Sequence, residues 1–335
     1  MAGNNTLATG FGNAPERYPW HENLWSTLVN QFDRLPHALL LHGRPGLGKH
    51  AFAVQLAQTL LCEQPQAGVA CGACHGCGLF AAGTHPDLAT VGLEEDAKSI
   101  VVDQIRALGD FLSLRPHTAA RKLVIISPAD AMNANAANSL LKLLEEPPLG
   151  SVLLLVTSHP ARLPATIRSR CSHILFKTPA ARVALAWLQS RPGAHDQPVK
   201  LLEMAGGAPL LAETLAQEGF PENRVRMIDD LAALRSGREE PVVCAARWKT
   251  LGTRRVLGWL QNYVIDIIKI RMGMQGAALA NPEALIHERN KYKISELYNL
   301  IDVILENYRL LGGPLDELLM LEDVLIRWSR LSRLQ

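Results

Sequence analysis

The sequence predicts an α/β chain, with a parallel sheet covered by helices over its first half and helices alone over its second. Three observations predict it. Short, wholly apolar runs alternate with helix-spaced segments as far as residue 176. A glycine-rich loop ending in lysine, Gly43-Arg44-Pro45-Gly46-Leu47-Gly48-Lys49, stands between one such run and one such segment. After residues 177–179 the strand signals stop.

In chain order, residues 1–15 are rich in Gly, Ala and Asn and carry neither a basic start nor an apolar stretch. They read as a disordered leader and not as a signal peptide. Residues 37–42 form a short apolar strand, and 49–61 a helix with Phe52, Leu56 and Leu60 on one side. Residues 101–112 read as a helix, 122–126 as a strand, 134–144 as a helix and 151–156 as a strand. Wholly apolar strands between helices imply a sheet buried on both faces. A core domain over 16–178 is therefore expected, with an insertion at 62–77. A small helical domain follows over 179–220, with helices at 180–189 and 199–204 and one opened by Gly206-Gly207-Ala208-Pro209 that runs through 217. Gly219 and Pro221 suggest a linker over 218–223. The last domain, 221–335, is helical, with loops expected at 236–241 and 273–282. Its apolar residues recur at helical spacing: Trp259, Tyr263, Ile267 and Ile270, then Leu297, Leu300, Ile304, Tyr308 and Leu311.

Of the 335 residues, 48% are apolar and 20% charged, with a net charge of +2. That near-balance carries no basic footprint, so any contact with DNA has to be local or shared with other chains. Lys291, Lys293, Arg327, Arg330 and Arg333 are scattered and form no patch. The longest apolar runs, 38–41 and 152–156, are far too short to span a bilayer. The expectation is a cytoplasmic protein with no membrane partner.

The loop from Gly43 to Lys49 has the form G-x4-G-K and the strand–turn–helix setting that a phosphate loop needs. Gly43, Gly46 and Gly48 let backbone N–H groups approach phosphates, and Lys49 adds a positive charge at a helix N-terminus. The residue after the lysine should offer a hydroxyl to Mg²⁺, but it is His50, a poor ligand for that hard cation. A second acidic site should close the strand at 122–126, but Ser127-Pro128 stands there. Asp130 falls two residues late, where helix capping is its ordinary use. ATP hydrolysis by this chain is not expected, and productive ATP binding is doubtful.

Four of the six cysteines, Cys62, Cys71, Cys74 and Cys77, are spaced C-x8-C-x2-C-x2-C. In a large chain without a secretion signal that clustering favours a metal over disulfides. Four thiolates close the shell of one structural Zn²⁺ and leave no position for a catalytic water. Gly72, Gly76 and Gly78 supply tight turns. Two other readings stay open, a redox dithiol and a shell in which His75 or His85 replaces Cys62. Cys171 and Cys244 are isolated and read as packed thiols.

Further on, Leu140-Leu141-Lys142-Leu143-Leu144-Glu145-Glu146-Pro147-Pro148 closely resembles the LLKxLEEPP signature of the AAA+ clamp-loader family of bacterial DNA polymerase III. Ser169-Arg170-Cys171 matches the family's Ser-Arg-Cys motif, and Thr157 closes a strand where the family places its sensor residue. With the cysteine cluster and Gly83-Thr84-His85-Pro86-Asp87, the resemblance covers residues 18–220. It implies an AAA+ core, a small helical lid and a C-terminal helical collar through which subunits oligomerise. It also implies a degenerate nucleotide site at Gly43, Gly46, Gly48, Lys49 and Thr157. His50, Ser127-Pro128 and Pro209 depart from the family's ATP-hydrolysing motor pattern and resemble its non-hydrolysing, stator type of subunit. The partners then implied are the motor (gamma/tau-type) and delta subunits, with the sliding clamp and primed DNA reached through the complex. Arg170 would be an arginine finger offered in trans to a neighbour's ATP. The rivals are a motor-type ATPase, against which Ser127-Pro128 argues, and a zinc-dependent binding module unrelated to replication, against which Ser169-Arg170-Cys171 argues.

Overall fold

The apolar runs become the strands of one parallel sheet in the computed structural model, which describes residues 16–94, 97–191, 197–273, 292–313 and 315–332. The leader expected over 1–15 lies outside the described residues, as do most of the loop expected over 273–282, Lys291 and Arg333. The chain divides into two units, Met1–Trp187 with Ala208–Leu211, and Leu188–Gly207 with Ala212–Gln335.

In the first unit the elements run α1 (Glu22–Val29), β1 (Ala38–Gly43), α2 (Lys49–Leu61), α3 (His75–Ala81), β2 (Leu88–Val91) and α4 (Val102–Ser113). Then come β3 (Lys122–Ile126), α5 (Ala134–Glu145), β4 (Ser151–Thr157), α6 (Ala165–Arg168), β5 (Ser172–Phe176) and most of α7 (Ala181–Gln189). The strand order is β2-β3-β4-β1-β5, all parallel, with Leu41 level with both Val156 of β4 and Ile174 of β5. This is the parallel α/β core, covered by helices, that the sequence led us to expect.

β3 and β4 are buried along their whole length. Their side chains alternate between two covered faces, so the interior positions are all apolar and Lys122, Ser151 and Thr157 stand only at strand ends. Leu123, Ile125, Val152, Leu154 and Val156 pack on one face with Phe52 and Leu56 of α2. Val124, Ile126, Leu153 and Leu155 pack on the other with Leu108 of α4 and Leu140 of α5. Fully burying such a side chain contributes about 1.5–3 kcal/mol. β2, β5, α1 and α3 were not anticipated. β2 has only four residues, and β5 alternates exposed and buried positions at the sheet edge. Neither makes the continuous apolar run that marks the inner strands.

The second unit is helical: α8 (Pro198–Met204), α9 (Pro209–Gln217, whose first residues belong to the first unit), α10 (Phe220–Arg235), α11 (Pro241–Lys249), α12 (Thr253–Arg271), α13 (Ile294–Leu310) and α14 (Glu317–Ser329). The linker expected over 218–223 is instead a tight turn. Gly219, left-handed at φ 61°, starts α10 at once, and a proline in a first helical turn forfeits no helix hydrogen bond. Both apolar stripes read from the sequence lie in this unit's own core, with Tyr263, Ile267, Leu297, Leu300, Ile304 and Trp328 in one buried cluster. Among the described residues no helix is long and apolar enough to cross a membrane.

Candidate functional site

The carboxyl ends of β1, β3 and β4 meet at one edge of the sheet, where α/β proteins place their ligands. A cleft of about 330 Å³ opens there, lined by Gly46, Gly48, Lys49, His50, Ser127, Pro128, Thr157 and Ser158 among others. Gly46 and Gly48 adopt φ 74° and 79°, a region open to glycine at little cost. Space also requires them. A Cβ on Gly48 would come within 2.6 Å of the Tyr18 ring, and one on Gly46 within 2.6 Å of Leu211 Cβ.

The loop is bound to its own chain on every side. Trp20 Nε1 donates to Leu47 O at 3.1 Å, and His21 Nε2 lies 2.7 Å from the same oxygen. Burial draws His21 down to about 4, so it is neutral at ordinary pH. Tyr18 stacks on Trp20, with ring centroids 4.9 Å apart. Leu210 N donates to Gly46 O at 3.2 Å, so the start of α9, which carries Pro209, lies on the loop. Lys49, only 6% exposed, donates to Arg44 O at 2.6 Å and to Ser158 Oγ at 2.9 Å. Its ammonium is turned onto the loop and strand end that a phosphate would otherwise approach.

Ser127 and Pro128 line the cleft where the acidic pair of a hydrolase would stand. Asp130 does not cap a helix as expected. The short helical turn Ala129–Ala131 has no side-chain cap. The Asp130 carboxylate instead accepts from Thr157 Oγ1 at 2.5 Å and lies 3.2 Å from His159 Nδ1. Thr157 thus sits at the strand end expected of a sensor residue, but its hydroxyl is committed to Asp130. Tyr18, Trp20, Asp130 and Ser158 are participants that the sequence reading missed or misassigned. For Tyr18 and Trp20 the nearest sequence signal was the segment Tyr18-Pro19-Trp20-His21; Asp130 and Ser158 had none.

Arg170 follows α6 on the surface, between buried Ile167 and Cys171. Its Nη2 lies 2.6 Å from Glu145 Oε1, and Nη1 donates to Thr166 O at 3.0 Å. The two signature motifs, distant in sequence, therefore meet through this pair. Arg168 is half-buried. Its carbonyl lies 2.9 Å from His173 Nε2, which makes it part of the loop's scaffold.

The insertion brings all four expected cysteines together. Their sulfurs lie within 4.8 Å of one another, with Cys62 Sγ 3.5 Å from Cys71 Sγ and 3.8 Å from Cys74 Sγ. A tetrahedron with metal–sulfur bonds of about 2.3 Å has edges of about 3.8 Å, so this donor set fits a four-thiolate ion. Backbone N–H groups of Cys71, Cys74 and Cys77 donate to the sulfurs of Cys62, Cys71 and Cys74 in turn. Such bonds stabilise thiolates. Those from Ala73 and Cys74 pull Cys71 down to about 6, while burial pushes Cys77 up to about 12. His75 is exposed, and the Nδ1 of buried His85 accepts from Asp87 N at 3.1 Å. Neither is brought into the sulfur group. Of the three glycines read as turn formers only Gly72 (φ 74°) turns. Gly76 and Gly78 are helical in α3, and Gly76 is small because a Cβ there would meet Leu61 O at 2.8 Å. Cys171 and Cys244 are buried, and burial pushes their thiols up to about 11 and about 12.

Comparison with known proteins bears on the whole chain. Residues 20–180 match the family model described as DNA polymerase III, delta subunit, and residues 218–330 match DNA polymerase III, delta subunit, C terminal. DNA polymerase III subunit delta' of Pseudomonas aeruginosa is 36% identical over 323 residues, covering 94% of this chain and 98% of the relative. The Escherichia coli subunit of the same name is 33% identical over 275 residues, covering 81% of this chain and 82% of the relative. Among solved structures, a gamma subunit-related protein of Thermotoga maritima covers 91% of this chain and 98% of its own length, at 19% identity and a TM-score of 0.45.

Proposed function

The chain belongs to the delta-prime family of DNA polymerase III subunits, and from that premise we propose that it is a stator of the clamp loader. It hydrolyses no ATP and supplies Arg170 to the nucleotide site of a neighbouring subunit. The carrying observation is the contrast between two places. The chain's own cleft has Ser127-Pro128 where acidic residues would hold Mg²⁺, and its Lys49 is tied to Arg44 O and Ser158 Oγ. Arg170 meanwhile stands exposed on a loop anchored by Ile167 and Cys171. A guanidinium brought across a subunit boundary stabilises charge developing on a transferred phosphoryl group, and such fingers accelerate nucleotide hydrolysis about 10³–10⁵-fold.

On this reading residues 16–178 are the core, 179–220 the lid and 221–335 the collar. The partners are the gamma/tau-type motor and the delta subunit, with clamp and primed DNA engaged through the complex. Cys62, Cys71, Cys74 and Cys77 would hold a structural Zn²⁺, whose closed shell ties α3 to the end of α2 and leaves no position for catalysis. The test is steady-state ATP turnover of the reconstituted loader, with clamp and DNA, carrying Arg170→Ala. Assembly should be kept while turnover falls, in part only, because other sites in the ring keep their own arginines. Arg170→Lys should restore little, since an ammonium lacks the planar fork of donors. Unchanged turnover in an intact complex would reject the finger.

A further inference from the structure

Glu145 is the last residue of α5, and its Oε1 lies 2.6 Å from Arg170 Nη2. We propose that Glu145 is a positioning residue for Arg170, holding the guanidinium in a preset direction for use at a neighbour's nucleotide. This inference rests on the finger reading of Arg170.

The placement of Glu145 has no local explanation. A helix C-terminus carries partial negative charge, so a carboxylate there is unfavourable to the helix that bears it. With the Glu145 side chain 50% exposed and that of Arg170 37% exposed, the pair also contributes little to folding. Orientation is what it does provide. Ile167 and Cys171 are buried on either side and Ser169 Oγ donates to Thr166 O, so the backbone of the loop is fixed. The long Arg170 side chain would otherwise sample many rotamers. Glu145 and Thr166 O fasten one N–H on each terminal nitrogen. A guanidinium has five N–H donors; with two engaged, three remain to face phosphate oxygens. The pair can therefore stay closed while Arg170 acts, which distinguishes a positioning contact from a latch that must break. On the Glu145 side, Pro147 and Pro148 follow after Glu146 and stiffen the chain leaving the helix.

The loader reconstituted with gamma/tau-type and delta subunits would be assayed in four forms: wild type, Glu145→Gln, Arg170→Ala and the double variant. Assembly, kcat and the KM for ATP are read for each. Glu145→Gln should assemble normally and lower kcat by roughly two- to fivefold, the range into which an exposed ion pair converts, with KM unchanged. The double variant should be no slower than Arg170→Ala alone. Glu145→Ala, assayed as a fifth form, should give the same pattern, so one poorly folding variant does not decide the matter. A loss that persists in the Arg170→Ala background would overturn the proposal, since Glu145 would then act elsewhere. An unchanged or raised kcat in Glu145→Gln, with Arg170→Ala impaired, would overturn it too and leave the finger standing. Unchanged turnover in Arg170→Ala would overturn both.

Discussion

Burial draws the ammonium of Lys49 down to about 8, with Asp130 pulling the other way. The sign of the consequence follows from proton counts. Between pH 8 and about 10.4, the ordinary lysine value, the unfolded chain keeps this proton and the folded chain has lost it. Stability from Lys49 therefore rises as pH rises through that window, by about 1–3 kcal/mol, and is least where the buried charge is retained. Lys49→Met should abolish the rise. Denaturation at a series of pH values, read as the difference between wild type and variant, checks this. Parallel curves would mean that Lys49 is not desolvated as described. At this scale the sequence was most legible where a residue type has few uses. Four thiols at metal spacing announced themselves, and the structure brings them together. Ser158 and Asp130 did not, because common polar residues acquire their roles only from a partner tens of residues away. Glu145, though legible within the signature, gave no sign of its pairing with Arg170.

Between β2 and β3 a single carboxylate organises a loop. Asp87, fully buried at the end of the Gly83–Asp87 motif, accepts backbone N–H bonds from His117, Thr118 and Ala119 at 2.7–2.9 Å. Burial works to raise its pKa, but those donors and the Thr118 hydroxyl prevail and hold it below the ordinary value. A depressed carboxylate contributes stability above its unfolded pKa of about 3.9 and loses it as pH falls through the folded value. Asp87→Asn should cost about 2–4 kcal/mol and flatten the acid limb of the stability curve. An unaltered acid limb would count against it. The insertion is the second element with a definite outcome. Purified protein should carry about one Zn²⁺ per chain by elemental analysis, and Cys62→Ser should lose it. Metal-free protein after gentle purification would refute the site, whereas full occupancy in Cys62→Ser would refute only that ligand. α2 was read at its observed bounds and α4, α5, β3 and β4 to within a residue, because buried faces impose a clear period. β2, α3 and β5 were missed because a four-residue strand, a glycine-broken helix and a half-exposed edge strand have none.

Across the whole molecule, the break in pattern after residue 179 falls between a sheet-bearing part and a helical one, since among the described residues the fully buried strands β3 and β4 have no counterpart later in the chain. Which helices pack together was not legible. The stripes at 259–270 and 297–311 fit a core or an interface equally well by spacing, and only the fold puts Tyr263, Leu297 and Trp328 in one core cluster. The helical unit's own stripes being consumed, its exposed apolar side chains are others, such as Val242, Val243 and Leu319. The activity expected of the isolated chain follows from the same division of labour. Hydrolysis needs a phosphate cradle, a metal held by carboxylate and hydroxyl, and an arginine facing the γ-phosphate. This chain has the cradle occupied by Lys49's internal bonds, Ser127-Pro128 and His50 in place of the metal ligands, and its arginine on a loop after α6 instead of in its own cleft. Any one loss would slow turnover, and together they should abolish it. Phosphate release by the purified chain should match that of Lys49→Ala over a range of ATP and Mg²⁺ concentrations. Nucleotide binding without turnover would be compatible, because the glycines still present backbone N–H groups. A turnover that disappears with Lys49→Ala would instead return the motor reading and displace the stator, since the cleft would then be turning over ATP in spite of His50 and Ser127-Pro128.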